Sequence, residues 1–207
     1  MIIAIDGSAA SGKGTLAKEL ARHLGYDYLD TGALYRAVAL CLVNNGMDEN
    51  NIRENQAVKC ASSLDLALVS SGKIRSDAVA NLASKVAVFQ SVRTKLLMFQ
   101  RGFAKAPPSG RGAVLDGRDI GTVVLPNADL KFFIDADINI RADRRTKQLR
   151  KAGQSAMFRE IIADMRLRDA RDKSRPVAPM RAADDAVTID TSNLDASEVL
   201  QVALAHI

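Results

Sequence analysis

Gly7-Ser8-Ala9-Ala10-Ser11-Gly12-Lys13-Gly14-Thr15 is the stretch on which the reading of this chain turns. Glycines at 7 and 12 let the backbone turn its N–H groups inward and come close to an anion. Just before the loop, Ile2 to Ile5 is an unbroken apolar run, the pattern of a strand buried on both faces of a parallel sheet. Just after it, Leu16, Ala17, Leu20, Ala21 and Leu24 recur at helical spacing, and Gly25 supplies a stop. Strand, glycine loop and helix thus follow in the order a phosphate cradle requires. The helix start offers free N–H groups and its positive dipole end to the anion. Lys13 adds a mobile charge that can follow the β- and γ-phosphates. Gly7, Ser8, Ala9, Ala10, Ser11, Gly12, Lys13, Gly14 and Thr15 are therefore the expected ATP-binding residues, with Lys13 also catalytic. Position 14 is Gly where Ser or Thr usually ligates Mg²⁺, so Thr15, one residue later, is the candidate metal ligand.

Working outward, Tyr26 to Leu29 reads as a second strand, and Asp30 or Thr31 as the cap of a helix carrying Tyr35 and Arg36. Two or three more helices are expected between about Glu49 and Lys105, before Ala106-Pro107-Pro108-Ser109-Gly110 breaks the pattern. Ala113 to Leu115, Leu130 to Ile134 and Ala186 to Ile189 read as further strands. A long Arg-rich helical region, interrupted near Gly153 and closed by Pro176, lies between the last two. Strands alternating with helices predict an α/β layer fold with a largely parallel sheet.

The 207 residues suffice for one well-buried core, with 47% hydrophobic and 26% charged residues. Aromatics are 4%, with no Trp, so the core must be built from Ala, Leu, Val and Ile. A formal charge of +5 points to polyanionic partners. Cys41 and Cys60 match no metal-site spacing, and two thiols in such a chain fit a reducing compartment. The short apolar start is no signal peptide, and no run of eighteen apolar residues occurs, so the expected location is the cytoplasm.

A phosphoryl acceptor that is itself anionic must be held by positive charge, and three further motifs suit that need. Asp30-Thr31-Gly32-Ala33-Leu34-Tyr35-Arg36 and Asp116-Gly117-Arg118-Asp119 both follow strands, where ligands of open α/β sheets bind. Arg168, Asp172 and Arg175 are spaced i, i+4, i+7, placing two guanidiniums around a carboxylate on one helix face. Arg141, Arg144 and Arg145 share another face and suit a lid that brings guanidiniums over the transferring group and excludes water. A GTPase should show an Asn-Lys-x-Asp segment, and none is present. A nucleic-acid binder should interleave aromatics with its arginines, whereas Phe158 is the only aromatic in the Arg-rich region.

GSAASGKGT, LDTGALYR, SDAVANLASKVA, VRTKLL, DGRDIGTVV and RLRDARDKSRPVAP occur in the order found in bacterial cytidylate (CMP) kinases, and the chain resembles that family over nearly its whole length. The Gly-Lys-Gly-Thr ending of the loop is likewise the form seen in nucleoside monophosphate kinases. The resemblance implies a three-layer P-loop fold with a five-stranded parallel sheet. It also implies transfer of the γ-phosphate of ATP to CMP or dCMP with Mg²⁺, no nucleic-acid or membrane partner, and a monomer. It implies a core of residues 1–31, 111–145 and 158–207, a helical acceptor-binding insertion over about 32–110, and a lid over about 146–157. Carried over by position, Thr31 and Arg36 would meet the acceptor phosphate region, and Ser84, Arg93 and Asp119 would read the cytosine. Arg118 and Arg175 would be phosphate ligands and catalytic groups, while Arg168 and Asp172 would hold the sugar. Asp116 would be an outer-shell partner of Mg²⁺ or would fix the loop presenting Arg118. Ser8 stands where the family often has Pro, Thr31 where it often has Ser, and the stretch from Val69 to Ser76 lacks a β-hairpin that some members carry.

Overall fold

The computed structural model describes residues 1–48 and 50–207, with the side chains of residues 66, 70, 75 and 77 left aside. Five strands, β1 (Ile2–Gly7), β2 (Asp27–Asp30), β3 (Ala113–Gly117), β4 (Leu130–Asp135) and β5 (Val187–Asp190), form one sheet in the order β2-β3-β1-β4-β5. Every pairing is parallel. Central β1 has β3 on one side and β4 on the other, and Ile3, Ala4 and Ile5 are fully buried, which is why its sequence is apolar without alternation. The five parallel strands expected from the sequence are all present, each within about a residue or two of its predicted bounds.

Helix α1 (Lys13–Leu24) lays Leu16, Ala17, Leu20 and Ala21 on one face of the sheet beside α8 (Ala196–Leu204). A capping box between Asp195 and Glu198 starts α8. The other face carries Ala4, Ala113 and Leu115 against Ala104 and Ile120. Between β2 and β3, α2 (Thr31–Asn44), α3 (Glu54–Ser62), α4 (Asp77–Val86) and α5 (Gln90–Lys105) enclose a second apolar cluster built on Leu34, Val38, Leu42, Leu82, Val86 and Leu96. Two 3₁₀ turns, Leu66–Ser70 and Gly72–Arg75, join α3 to α4. The prediction of an Ala- and Leu-rich core holds: Phe132 is the one aromatic among the largest fully buried side chains that are described.

Helices α6 (Ile138–Lys151) and α7 (Phe158–Ser174) follow β4 and pack on each other, with the predicted interruption at Gly153 between them. No helix among the described residues is long and apolar enough to cross a membrane. One expectation is corrected. Cys41 and Cys60 are not free thiols but a disulfide, joining α2 to α3 with Cα atoms 6.0 Å apart. The two helices pack side by side and turn these positions toward each other, a long-range fact that a spacing of 19 residues does not encode.

Candidate active site

The carboxyl ends of the strands converge on one side of the sheet, and each strand carries an aspartate there: Asp6, Asp30, Asp116, Asp135 and Asp190. Gly7 ends β1 at a φ of +149°, and a Cβ built on it would lie 1.9 Å from the Ile134 carbonyl oxygen, so the loop leaves the sheet where only glycine fits. Gly12 (φ +95°) is the cap from which α1 starts, and Ala10 also holds a left-handed φ of +58°. The hydroxyls of Ser8 and Ser11 are fully buried with no partner among the described residues. Ala9, Ala10 and Gly12 face open cavities, so what the loop offers a ligand there is mostly backbone. Lys13 folds back to donate to the Ser8 carbonyl at 3.2 Å.

Three cavities meet around this loop. The first, about 230 Å³, reaches from Lys13 and Thr31 past Ser84 and Arg93 to Asp119, Asp172 and Arg175. The second, also about 230 Å³, runs under the α6–α7 pair and is lined by Ala9, Ala10, Arg145, Gln148 and Met165. Lys13, Arg36, Arg118 and Arg168 border both. The third, about 240 Å³, lies behind the loop between Gly12, Thr15, Arg144, Thr191 and Leu194.

The first cavity is walled by ion pairs. Asp119 receives Arg93 from α5 and, at 3.2 Å, Arg175 from the end of α7, and all three side chains are buried. Asp172 receives Arg118 Nε at 3.0 Å and the Ser84 hydroxyl at 3.2 Å. Burial works against the Asp172 charge, but Arg118 and Arg168 outweigh it and hold the carboxyl below its ordinary value. Arg36 pairs with Asp30 at 2.7 Å, while the other oxygen of Asp30 caps α2 at the Ala33 N–H. Arg93 also sits over the Tyr35 ring, 5.8 Å from its centroid.

Asp116 lies between the phosphate loop and this wall. Tyr28 donates to it at 2.8 Å, and burial with the Asp116 and Asp30 charges pushes the Tyr28 phenol up, so it remains a donor. Burial, with Asp30 beside it, pushes Asp116 up to about 6. Burial, with Arg118 beside it, pushes Lys13 down to about 7. Burial likewise draws Arg168 down to about 10. A Cβ built on Gly14 would come 3.5 Å from Asp116 Oδ2, so glycine at 14 leaves room beside that carboxylate.

A model of the cytidylate kinase family matches residues 3–207. A cytidylate kinase of Paramagnetospirillum magneticum is 51% identical over 207 residues, covering all of this chain and 97% of that one. A cytidylate kinase of Nitrobacter winogradskyi is 50% identical over 205 residues, covering 99% and 94%. The chain belongs to the cytidylate kinase family. Solved structures give the fold alone. An uncharacterized protein from Eubacterium ventriosum has a TM-score of 0.56 at 17% identity, with 100% and 98% of the two chains covered. A putative kinase from Chloroflexus aurantiacus has 0.52 at 16%, with 99% and 94% covered.

As a member of the cytidylate kinase family the chain is a kinase, and most residues singled out in its sequence come together. Lys13, Thr31, Arg36, Ser84, Arg93, Arg118, Asp119, Arg168, Asp172 and Arg175 all line the first cavity. Two details differ from the expectation. Arg175 lies just past the last residue of α7, as its C-terminal cap, so the expected helical face ends one residue short of it. The Thr31 hydroxyl donates to the Asp116 carbonyl at 2.8 Å, so it also ties β2 to β3.

The three lid arginines part company. Only Arg145 lines the cavity under α6 and α7, where it donates to Gln148 at 2.9 Å. Arg144 donates to the hydroxyl and carbonyl of Thr191 after β5, at 3.0 and 2.6 Å. Arg141 is buried as a strut, bonded to the carbonyls of Ala136 and Ala9 and paired with Asp169 at 2.7 Å. Helical spacing sets where their Cα atoms point, but each long side chain finds its own partner. Thr15 faces the third cavity, on the other side of the loop from Asp116. Tyr35 and Thr191 are among the cavity-lining residues to which the sequence reading gave no role. Only the place of Tyr35 beside Arg36 marked it, and nothing local marked Thr191.

Proposed function

We propose that this chain transfers the γ-phosphate of ATP to CMP, and to dCMP, in pyrimidine nucleotide metabolism. The observation that carries the reading is the first cavity: a pocket walled by Arg93–Asp119–Arg175 and Arg118–Asp172 that opens at Lys13 onto the phosphate loop. Such a pocket offers both donor and acceptor groups to a base edge and guanidiniums to a phosphate. Curated cytidylate kinases related over the full length support the choice of base.

In this reading Gly7 to Thr15 hold ATP through backbone N–H groups and Lys13. Ser84, Arg93 and Asp119 face the cytosine, Arg168 and Asp172 the sugar, and Thr31, Arg36, Arg118 and Arg175 the acceptor phosphate. An acceptor phosphate oxygen attacks the γ-phosphorus in line, forming the new P–O bond as the bond to the departing ADP oxygen breaks. No side-chain nucleophile takes part, and catalysis rests on positioning and charge. Of the lid arginines, Arg145 would meet the transferring group, a reading supported by its place in the lining of the cavity under α6 and α7.

For Mg²⁺ the residues fit a hydrated ion better than a directly caged one. Gly14 puts no side chain between the loop and Asp116, and no group of three His, Cys, Asp or Glu side chains lies together among the described residues. Mg²⁺ bound to ATP supplies charge neutralisation at the phosphates. Thr15 remains the loop's hydroxyl candidate, but its cavity is not the one Asp116 lines.

Residues 1–31, 111–145 and 158–207 act as the core, about 32–110 as the acceptor-binding insertion and about 146–157 as the lid. In this reading the enzyme is a monomer with no nucleic-acid or membrane partner and works in the cytoplasm, where the Cys41–Cys60 bridge would be open to reduction. A coupled assay across CMP, dCMP, UMP, AMP and shikimate tests the reading. CMP is expected among the best acceptors, and its absence from them would refute the assignment.

A further inference from the structure

Asp6, one residue before Gly7, is buried at 3% exposure, and no salt bridge to it is found among the described residues. Instead Oδ1 accepts the Ile120 N–H at 2.7 Å and Oδ2 accepts the Gly121 N–H at 2.8 Å. These two amides open the short helical turn Ile120–Val124 that follows Arg118 and Asp119. Free N–H groups at the start of a helical turn ordinarily take a cap from the residue just before it, and Asp is among the best caps. That residue is Asp119, and its side chain makes no capping bond. Its carboxylate is committed to Arg93 and Arg175.

We propose that Asp6 is a positioning residue for the acceptor. By capping the Ile120–Val124 turn from β1, it releases Asp119 to hold Arg93 and Arg175, and it ties that network to the strand entering the phosphate loop. One carboxylate thereby couples the start of the donor loop to the residues that face the acceptor. The inference rests on the reading that Arg118 and Asp119 serve the acceptor.

Asp6→Asn keeps the volume but turns an amide N–H₂ toward one of the two N–H donors. Asp119 is then drawn to cap its own turn and away from the arginines. The expected result is a KM for CMP raised by about 10- to 100-fold, as for a group misplaced by about an ångström. The KM for ATP should change much less, and the preference for CMP over UMP should fall. A cap that only stabilised the fold would lower the melting temperature and leave the CMP KM and the base preference unchanged, and that result would overturn the inference. Asp119→Asn is the control. If it raises the CMP KM while Asp6→Asn does not, the inference fails and the reading of the acceptor site stands. If Asp119→Asn has no effect on CMP, that reading fails and takes the inference with it. Should Asp6→Asn not fold, Asp6→Glu, which keeps the charge but shifts it by one methylene, is read the same way: a raised KM for CMP with the KM for ATP little changed supports the inference, and a lowered melting temperature with both KM values unchanged overturns it.

Discussion

Replacing Asp172 by Asn isolates one charge in the cleft wall at nearly constant volume. Asp172 and Arg118 keep only 6% and 16% of their side-chain surface exposed, and the carboxylate also accepts the Ser84 hydroxyl. Removing one partner of a buried pair costs about 3–5 kcal/mol because the other charge is left behind. Arg118 borders two cavities and can turn toward water, which brings the expected loss down to about 2–3 kcal/mol. For a chain of this size that is a fall in Tm of about 4–12 °C. Urea unfolding followed by circular dichroism at neutral pH measures it. The sign with pH is fixed by the depressed carboxyl: its contribution is present above the ordinary value of 3.8 and disappears as pH falls through the lower folded value. The gap between native chain and variant should therefore close in acid. A loss under about 0.5 kcal/mol at neutral pH, the size of an exposed pair, would refute the buried-pair reasoning.

Binding of ATP should draw protons from solution at pH 8, because phosphates restore the Lys13 ammonium that burial holds near 7. Calorimetry in two buffers of different ionisation enthalpy detects this, and equal heats would refute it. Ala10→Gly should leave stability unchanged or raise it by up to about 1 kcal/mol, since Ala pays about that much for a left-handed φ. Gly7→Ala, by contrast, should cost about 3 kcal/mol or more, because its Cβ would meet the Ile134 carbonyl; thermal melts of the two variants compare them. Cys41→Ser with Cys60→Ser should cost about 3 kcal/mol in the chain-entropy view of a bridge spanning 19 residues. A urea midpoint that does not respond to dithiothreitol in the native chain would refute the bridge.

The phosphate loop and the sheet were legible because their causes are local. Gly7 and Gly12 are read from backbone demands, and β1 from an apolar run that only burial on both faces explains. Ser84 and Arg93 were invisible without the family resemblance. Both are buried on helices whose neighbouring apolar residues pack into the core, so their pattern reads as ordinary amphipathic helix. Arg93 lies between Val92 and Leu96, and only its partner Asp119, on another element, reveals its purpose. The disulfide and the Asp6 cap were illegible for the same reason, being contacts across 19 and 114 residues that leave no local trace. The separate destinations of Arg141, Arg144 and Arg145 depend on carbonyl and hydroxyl groups elsewhere in the fold.

The first cavity shows how a basic chain uses aspartates to hold its arginines, two of them, Asp30 and Asp116, coming from strand ends and two, Asp119 and Asp172, from elsewhere. Its wall holds six cationic side chains, Lys13, Arg36, Arg93, Arg118, Arg168 and Arg175, and four carboxylates, Asp30, Asp116, Asp119 and Asp172. Without the carboxylates the arginines would repel one another and swing outward into water. With them, four of the guanidiniums are already held in place, so little reorganisation remains when an anion arrives. The formal excess is two positive charges once a bound phosphate has restored the Lys13 ammonium, and a phosphate monoester carries about −1.5 to −2 near neutral pH. The cleft is thus matched to one monophosphate. A nucleotide with a longer phosphate chain would bring uncompensated charge into it, which supports the proposal that a monophosphate is the acceptor and that the triphosphate is held by the loop.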